Sequence, residues 1–286
     1  MISRRTHPAF RARRTRAVAI ALAAVALAPL SLTAGSALAQ EGRSGAAKPT
    51  IVLVHGAWAD ASSWTKVIAR LQADGYTVIA VANPLRSVSG DAAYVRTFLE
   101  TLTGPVVLVG HSYGGAVITN AATGNPNIKE LVYVNAFAPD EGETPTGLVG
   151  QDSALAADAT TVFDFVPATL PPTPATEVYL KKSTVFSSFA IGLSAEDKAI
   201  VWATQRPGPI SALNEPSGTP AWRTIPSWYL IGTGDRIITP SSQRAMAKRA
   251  GSTVTEYDAG HLGLMSDPDT VTQGIERAAR AAVQAR

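Results

Sequence analysis

One stretch, residues 106–115 (VVLVGHSYGG), constrains the fold of this chain more than any other. Its first four residues are apolar and mostly β-branched, a composition that predicts a buried β-strand. The Gly-x-Ser-x-Gly pattern at 110–114 follows at once and is typical of a sharp turn from a strand into a helix. Glycine suits the two flanking positions because a side chain there would block close approach of the backbone. The stretch therefore predicts that Ser112 lies at a helix N-terminus, where free N–H groups can stabilise a developing negative charge.

Short apolar runs alternate with helical patterns over most of the remaining chain. Strands are predicted at residues 51–54, 77–82, 105–109, 131–135, 226–232 and 253–257, and helices at 62–73, 91–102, 116–122, 240–250 and 269–284. This alternation predicts the α/β class, with a doubly wound, mostly parallel sheet. The alternation stops between 139 and 222, where prolines are frequent. We interpret that segment as an inserted, mainly helical cap, with weak helical patterns at 177–189 and 194–203.

The first 39 residues have the composition of a secretory signal peptide. They contain six arginines, no acidic residue, an apolar run broken by Pro29, and then Ala-Leu-Ala, so cleavage is expected between Ala39 and Gln40. The run is too short to span a bilayer comfortably, and we expect a secreted protein without stable membrane association after cleavage. Arg13-Arg14 precedes the run, which leaves both the twin-arginine and the Sec route open. The predicted organisation is a signal peptide at 1–39, a linker at 40–49, the first part of the core at 50–138, the cap at 139–222 and the second part of the core at 223–286.

The composition excludes several classes of partner and site. The formal net charge of +3 comes from the N-terminal arginines, since the chain after residue 39 holds 19 basic and 22 acidic residues. No basic stripe remains there, so no nucleic-acid partner is predicted. The chain has no cysteine, which excludes disulfides and thiol nucleophiles. Its four histidines do not have metal-ligand spacing, so no metal site is expected.

Ser112, in the predicted strand-to-helix turn, is the candidate nucleophile. A nucleophilic serine needs a base, and histidine is the residue type that commonly serves. His7 leaves with the predicted signal peptide. His55 precedes a glycine loop and His111 is adjacent to Ser112, so we interpret both as structural. His261 follows the last predicted strand, which places it at the carboxyl edge of the sheet, where ligands bind in open α/β folds. His261 is therefore the candidate base.

The acid that orients the base should follow a strand that lies between the two in sequence. Asp235 lies in the loop that directly follows the strand at 226–232, and the order Ser112, Asp235, His261 is the one expected for this arrangement. Asp140, after the previous strand, is the alternative. The other nearby carboxylates, Asp258 and Asp267, are interpreted as caps of turns or of the closing helix.

When a serine attacks a carbonyl group, the carbonyl oxygen becomes negatively charged. Two backbone N–H groups are expected to bind this oxyanion. One is that of Tyr113, which follows the nucleophile, and the other is that of Ala57, in the loop after the first core strand. Trp58 and Leu262 are predicted to form an apolar wall of the substrate pocket.

These motifs together resemble the α/β-hydrolase superfamily, and most of all the bacterial relatives of the plant methylesterase and hydroxynitrile lyase branch. The residues that carry the resemblance are His55-Gly56-Ala57-Trp58, residues 110–115, Asn135-Ala136-Phe137, Gly234-Asp235 and Gly260-His261. The resemblance implies serine esterase chemistry without a cofactor. Lyases of this branch typically carry lysine where this chain has Leu262, which disfavours cyanohydrin cleavage.

The sequence thus predicts a hydrolase that cleaves small carboxylic esters through an acyl-enzyme, with short-chain or methyl esters preferred. Two alternatives stay open. A cofactor-free haloperoxidase or perhydrolase would use the same three residues, and a non-catalytic ligand-binding protein can retain them on the same fold.

Overall fold

The computed structural model describes residues 47–284 of the 286-residue chain. The predicted signal peptide and most of the predicted linker lie outside the described residues. Within 47–284, no helix combines the length and apolar character needed to cross a bilayer.

Six parallel strands form the central sheet. The strands of the described chain are β1 (Thr50–Val54), β2 (Val78–Val81), β3 (Val106–His111), β4 (Ile128–Val134), β5 (Phe163–Val166), β6 (Glu177–Leu180), β7 (Gly208–Pro209), β8 (Ser227–Gly232) and β9 (Thr253–Tyr257). The order across the central sheet is β2-β1-β3-β4-β8-β9, and every neighbouring pair is parallel. The predicted doubly wound α/β fold is confirmed.

Some helices of the described chain flank this sheet, and others lie in the segment between β4 and β8. They are α1 (Thr65–Ala73), α2 (Val88–Glu100), α3 (Tyr113–Ala121), α4 (Ala159–Val162), α5 (Lys182–Thr184, continued by a π-helical turn at Val185–Phe189), α6 (Ala195–Ala203), α7 (Ile210–Asn214), α8 (Pro240–Arg249), α9 (Gly263–Ser266) and α10 (Pro268–Gln284). The long α10 packs against α1 and against β3, β4 and β8, while α2 packs against α3. On α10, Val271, Ile275 and Ala278 recur at helical spacing and are fully buried, as expected for the apolar stripe of an amphipathic helix.

Continuous apolar runs form the middle of the sheet. All six residues of β3 are buried, as are the last four of β1, because strands of a parallel sheet are covered by helices on both faces. Because the strands are parallel, the carboxyl ends of β1, β3 and β8 lie at the same edge of the sheet. The loops that follow these strands can carry reactive side chains there.

The segment between β4 and β8 contains helices and a small antiparallel sheet, β5-β6-β7. The predicted helix at 194–203 is confirmed as α6, whose first turn is capped by the Ser194 hydroxyl accepting the Asp197 N–H. The predicted helix at 177–189 is wrong over its first four residues, which form β6. In that strand Val178 and Leu180 are buried while their neighbours are partly exposed, and this alternation of period two favours a strand over a helix.

Candidate active site

Ser112 is the single residue between β3 and α3, and its backbone is strained. Its φ of 53° and ψ of −125° lie outside the regions that residues with a side chain ordinarily adopt. The Ser112 carbonyl accepts hydrogen bonds from the N–H groups of Gly115 and Phe137, at 2.9 and 3.1 Å. These two bonds hold the turn in place, which is how surrounding structure maintains a strained functional residue.

The glycines beside Ser112 are required by close backbone contacts. A Cβ atom at Gly114 would lie 2.4 Å from the Val54 carbonyl oxygen, and one at Gly115 would lie 2.3 Å from the Phe137 carbonyl oxygen. Both distances are far below van der Waals contact. The Gly-x-Ser-x-Gly sequence therefore lets α3 start directly against the ends of the neighbouring strands.

The structure brings Ser112, His261 and Asp235 into one hydrogen-bonded chain. The Ser112 hydroxyl lies 2.9 Å from His261 Nε2, and His261 Nδ1 lies 2.9 Å from Asp235 Oδ2. Because the ionised carboxylate only accepts hydrogen bonds, Nδ1 carries the imidazole proton and Nε2 is left free to accept one from the serine. All three side chains are buried. This geometry can activate a hydroxyl as a nucleophile.

Five N–H donors among the described residues surround the Asp235 carboxylate. Oδ1 accepts the N–H groups of Ile237 and Ile238, at 2.8 and 3.1 Å. Oδ2 accepts from His261, from Gln243 Nε2 at 2.8 Å and from Asn135 Nδ2 at 3.2 Å. Gln243 was not predicted as a site residue, and Asn135 entered only as part of the family resemblance. No local motif marks Gln243, since its contact with Asp235 depends on how α8 packs.

The alternative acid, Asp140, lies elsewhere on the protein. Its Oδ1 pairs with Arg223 at 2.6 Å, and about a third of its side chain is exposed. The pKa of Asp140 is lowered by a hydrogen bond from the Glu141 N–H and by the Arg223 guanidinium. The structure thus joins Asp235, and not Asp140, to the His261 imidazole.

Two further histidines are buried near the site and bond to the backbone. His111 Nε2 donates to the His261 carbonyl at 3.0 Å, and His55 Nδ1 donates to the Gly56 carbonyl at 3.0 Å while its Nε2 accepts the Asn83 N–H. Burial lowers the pKa of His55, and it lowers that of His111 well below its usual value, with His261 adding to the effect. Both imidazoles are therefore neutral, which agrees with their interpretation as structural.

Two N–H groups are left for an oxyanion. Tyr113 is the first residue of α3, so its N–H has no acceptor within the helix. The loop after β1 lies directly against Ser112, because a Cβ atom at Gly56 would be 2.6 Å from the Ser112 Cβ. Within residues 47–284, neither the Tyr113 N–H nor the Ala57 N–H donates to a protein acceptor, whereas the Trp58 N–H is bonded to the Arg206 carbonyl at 3.2 Å.

Comparison with known proteins identifies the family. The alpha/beta hydrolase family matches residues 51–273, which is most of the chain. The chain belongs to the alpha/beta hydrolase family. It is 28% identical to the alpha/beta hydrolase nvfD of Aspergillus novofumigatus, over 83% of this chain and 99% of that protein. It is 27% identical to methylesterase 8 of Arabidopsis thaliana, over 80% of this chain and 88% of that protein.

A solved structure has the same fold. An extracellular alpha/beta-hydrolase from a Paenibacillus species superposes with a TM-score of 0.69 at 22% identity, over 81% of this chain and 99% of that chain. This likeness shows the fold. The family match and the methylesterase relative confirm the predicted resemblance to the methylesterase branch and the predicted enzyme class, a hydrolase.

In this alpha/beta hydrolase, Ser112 opens onto a large apolar pocket. The pocket has a volume of about 320 Å³ and is lined by residues from the core and from the segment between β4 and β8. Five aromatic residues line it, namely Trp58, Tyr113, Phe137, Phe163 and Phe165, and none of the described residues that line it is charged. A pocket of this size and polarity suits an uncharged, drug-sized ligand.

Of the two residues predicted to form an apolar wall of the pocket, Trp58 lines it and Leu262 does not. Trp58 lines the pocket, and its indole N–H donates to the Val178 carbonyl on β6 at 2.9 Å. Leu262 departs from the prediction, because the chain turns into α9 directly after it and buries its side chain. Leu262 lines a separate, smaller cavity beside Phe189.

No metal site was predicted for this hydrolase. Within the described part of the chain, no three histidine or acidic side chains lie close enough together to hold a metal ion.

Proposed function

We propose that this protein is a secreted serine hydrolase that cleaves uncharged carboxylic esters. The observation that carries the proposal is the hydrogen-bonded chain Ser112–His261–Asp235, which lies at the wall of a large apolar pocket. Secretion rests on the composition of the first 39 residues. N-terminal sequencing of the exported protein tests it, and a start at Gln40 is expected.

The geometry supports acyl transfer in two halves. Ser112 Oγ attacks the ester carbonyl while His261 Nε2 takes the hydroxyl proton, and Asp235 holds the imidazole in the tautomer that permits this. The N–H groups of Tyr113 and Ala57 stabilise the tetrahedral oxyanion, a contribution of about 3–4 kcal/mol per donor in other enzymes. His261 then protonates the leaving alcohol, and an acyl-enzyme remains. Water attacks the acyl-enzyme by the same route and releases the acid and free Ser112.

The pocket indicates which esters fit. Its volume has room for more than a short acyl chain, so we propose esters that join a short acyl group or methanol to a larger apolar partner. A charged substituent would lose its hydration without gaining a counter-charge among the lining residues, which disfavours charged substrates. The same lack of a cation disfavours cyanohydrin cleavage, because departing cyanide would have no positive partner. The methylesterase name of an Arabidopsis relative agrees with this substrate class.

An ester series on the purified exported protein tests the proposal. We expect turnover of p-nitrophenyl acetate and butyrate, a sharp decline with the palmitate ester and no mandelonitrile cleavage. A preference for long-chain triglyceride emulsions, or faster cleavage of mandelonitrile than of p-nitrophenyl acetate, would show that the substrate class is wrong. Saturable binding of esters without any turnover would favour the non-catalytic alternative.

A further inference from the structure

Gln243, on α8, donates both N–H groups of its side-chain amide beside Asp235, the proposed catalytic acid. The side chain is fully buried. Its Nε2 donates to Asp235 Oδ2 at 2.8 Å and to the Ile238 carbonyl at 2.6 Å. The amide oxygen, Oε1, is buried as well, and it has no hydrogen-bond partner among the described residues.

The orientation of this amide is fixed by its neighbours. Turning it over would place Oε1 against a carboxylate oxygen and a carbonyl oxygen, both of which only accept hydrogen bonds. The observed orientation gives both N–H groups of the amide an acceptor.

The two bonds of Gln243 close a ring around the acid loop. Asp235 Oδ1 accepts the Ile238 N–H, the Ile238 carbonyl accepts a Gln243 N–H, and the second Gln243 N–H returns to Asp235 Oδ2. The carboxylate is thereby held at both oxygens. Its Oδ2 lies where it meets His261 Nδ1 at 2.9 Å.

We infer that Gln243 is a positioning residue of this hydrolase. It acts through Asp235 by fixing the plane of the carboxylate, so that His261 keeps its Nδ1 proton and presents Nε2 to Ser112. The inference rests on the proposed function, because it assigns Gln243 to the same reaction. Gln243 does not line the substrate pocket, so its effect is expected on turnover and not on substrate affinity.

Asn135 also donates to Asp235 Oδ2, but it is a less suitable site for a test. It has a φ of 46°, and its Nδ2 lies at an equal 3.2 Å from Asp235 Oδ2 and the Gly260 carbonyl. A substitution there would change the backbone as well as the hydrogen bond. Gln243 lies within a regular helix, where the side chain can be changed alone.

Two substitutions test the inference on the full exported chain. Gln243→Leu removes the donor, and we expect kcat to fall about tenfold with KM within twofold of wild type. Gln243→Glu keeps the size but places a second carboxyl group against Asp235. When protonated it can still donate one hydrogen bond, whereas its ionised form repels Asp235. Its kcat deficit relative to wild type is therefore expected to deepen as the pH rises from about 6 to 9, as the added carboxyl group ionises.

Gln205→Leu is the matched control. This glutamine bonds only to backbone atoms of Leu180 and Trp202 among the described residues, so its removal should leave kcat within twofold of wild type. If Gln243→Leu does not fold, the pH dependence of Gln243→Glu decides.

A Gln243→Glu variant with the same relative kcat at every pH overturns the inference, as does a folded Gln243→Leu variant with wild-type kcat. Either result leaves the proposed function intact as long as Ser112→Ala is inactive. Full activity of Ser112→Ala would instead refute the proposed function itself.

Discussion

Asp235→Asn exchanges one acceptor oxygen for an NH₂ group within a set of five N–H donors. If the remaining oxygen stays at the Oδ1 position, it still accepts the two backbone N–H groups of Ile237 and Ile238. The NH₂ group then faces three former donors, the side chains of Asn135, Gln243 and His261. The opposite orientation sets the NH₂ group against the two backbone N–H groups. One orientation sets the NH₂ group against three N–H donors and the other sets it against two. Neither orientation gives every donor an acceptor.

The imidazole can relieve the clash only by changing its tautomer. His261 Nδ1 would then accept from the new amide, and the proton would move to Nε2, where it prevents removal of the Ser112 proton. Loss of the correct tautomer lowers kcat about 10⁴-fold in a comparable triad, which corresponds to about 5.5 kcal/mol of transition-state stabilisation. We expect a loss of that order for Asp235→Asn.

The assay compares kcat for p-nitrophenyl acetate in Asp235→Asn and in Asp140→Asn, which both replace an aspartate by asparagine. Asp140→Asn removes a partly exposed pair with Arg223, and since such pairs contribute little to stability, its kcat should stay within twofold of wild type. Circular dichroism confirms that both variants fold. A folded Asp235→Asn variant within tenfold of wild type, or a greater loss in Asp140→Asn, would refute the assignment of the acid.

Two further predictions concern stability and metals. Burial lowers the pKa of His55 and His111 below the usual 6.5, so the unfolded chain binds protons that the folded chain does not, and the free energy of unfolding should fall as the pH drops below about 6.5. His111→Gln should make this fall shallower by up to about 1.4 kcal/mol per pH unit in urea denaturation between pH 7.5 and 5.5, and an unchanged slope would contradict the cause given. Prolonged EDTA treatment should leave ester turnover unchanged, and a loss restored by zinc or calcium would reveal a missed metal site.

The central sheet could be predicted from the sequence because its strands are buried on both faces. Runs such as residues 51–54 and 106–109 are continuously apolar, and that signal does not depend on distant contacts. The strand β6 was missed because its four residues alternate only weakly and pair with β5, across a proline-rich loop. Its strand conformation depends on that tertiary pairing, which overrides local propensity.

Some residues of the candidate site could be predicted from the sequence, and others could not. Ser112, Asp235 and His261 each lie in the turn or loop that follows a strand, so sequence order placed them at one edge of the sheet. Gln243 carries no such mark, because only the packing of α8 brings it to Asp235. Leu262 was predicted to line the pocket, but the chain turns into α9 directly after it, and its buried side chain lines a separate cavity.

The central claim is that Ser112 is the nucleophile, and covalent labelling tests it most directly. An organophosphonate should add a single adduct to the wild-type protein, located on Ser112 by peptide mass spectrometry, with loss of ester turnover in step with labelling. Ser112→Ala should take up no label and lose several orders of magnitude in kcat while it keeps its fold. Labelling at another residue, or near-normal turnover by folded Ser112→Ala, would contradict the mechanism.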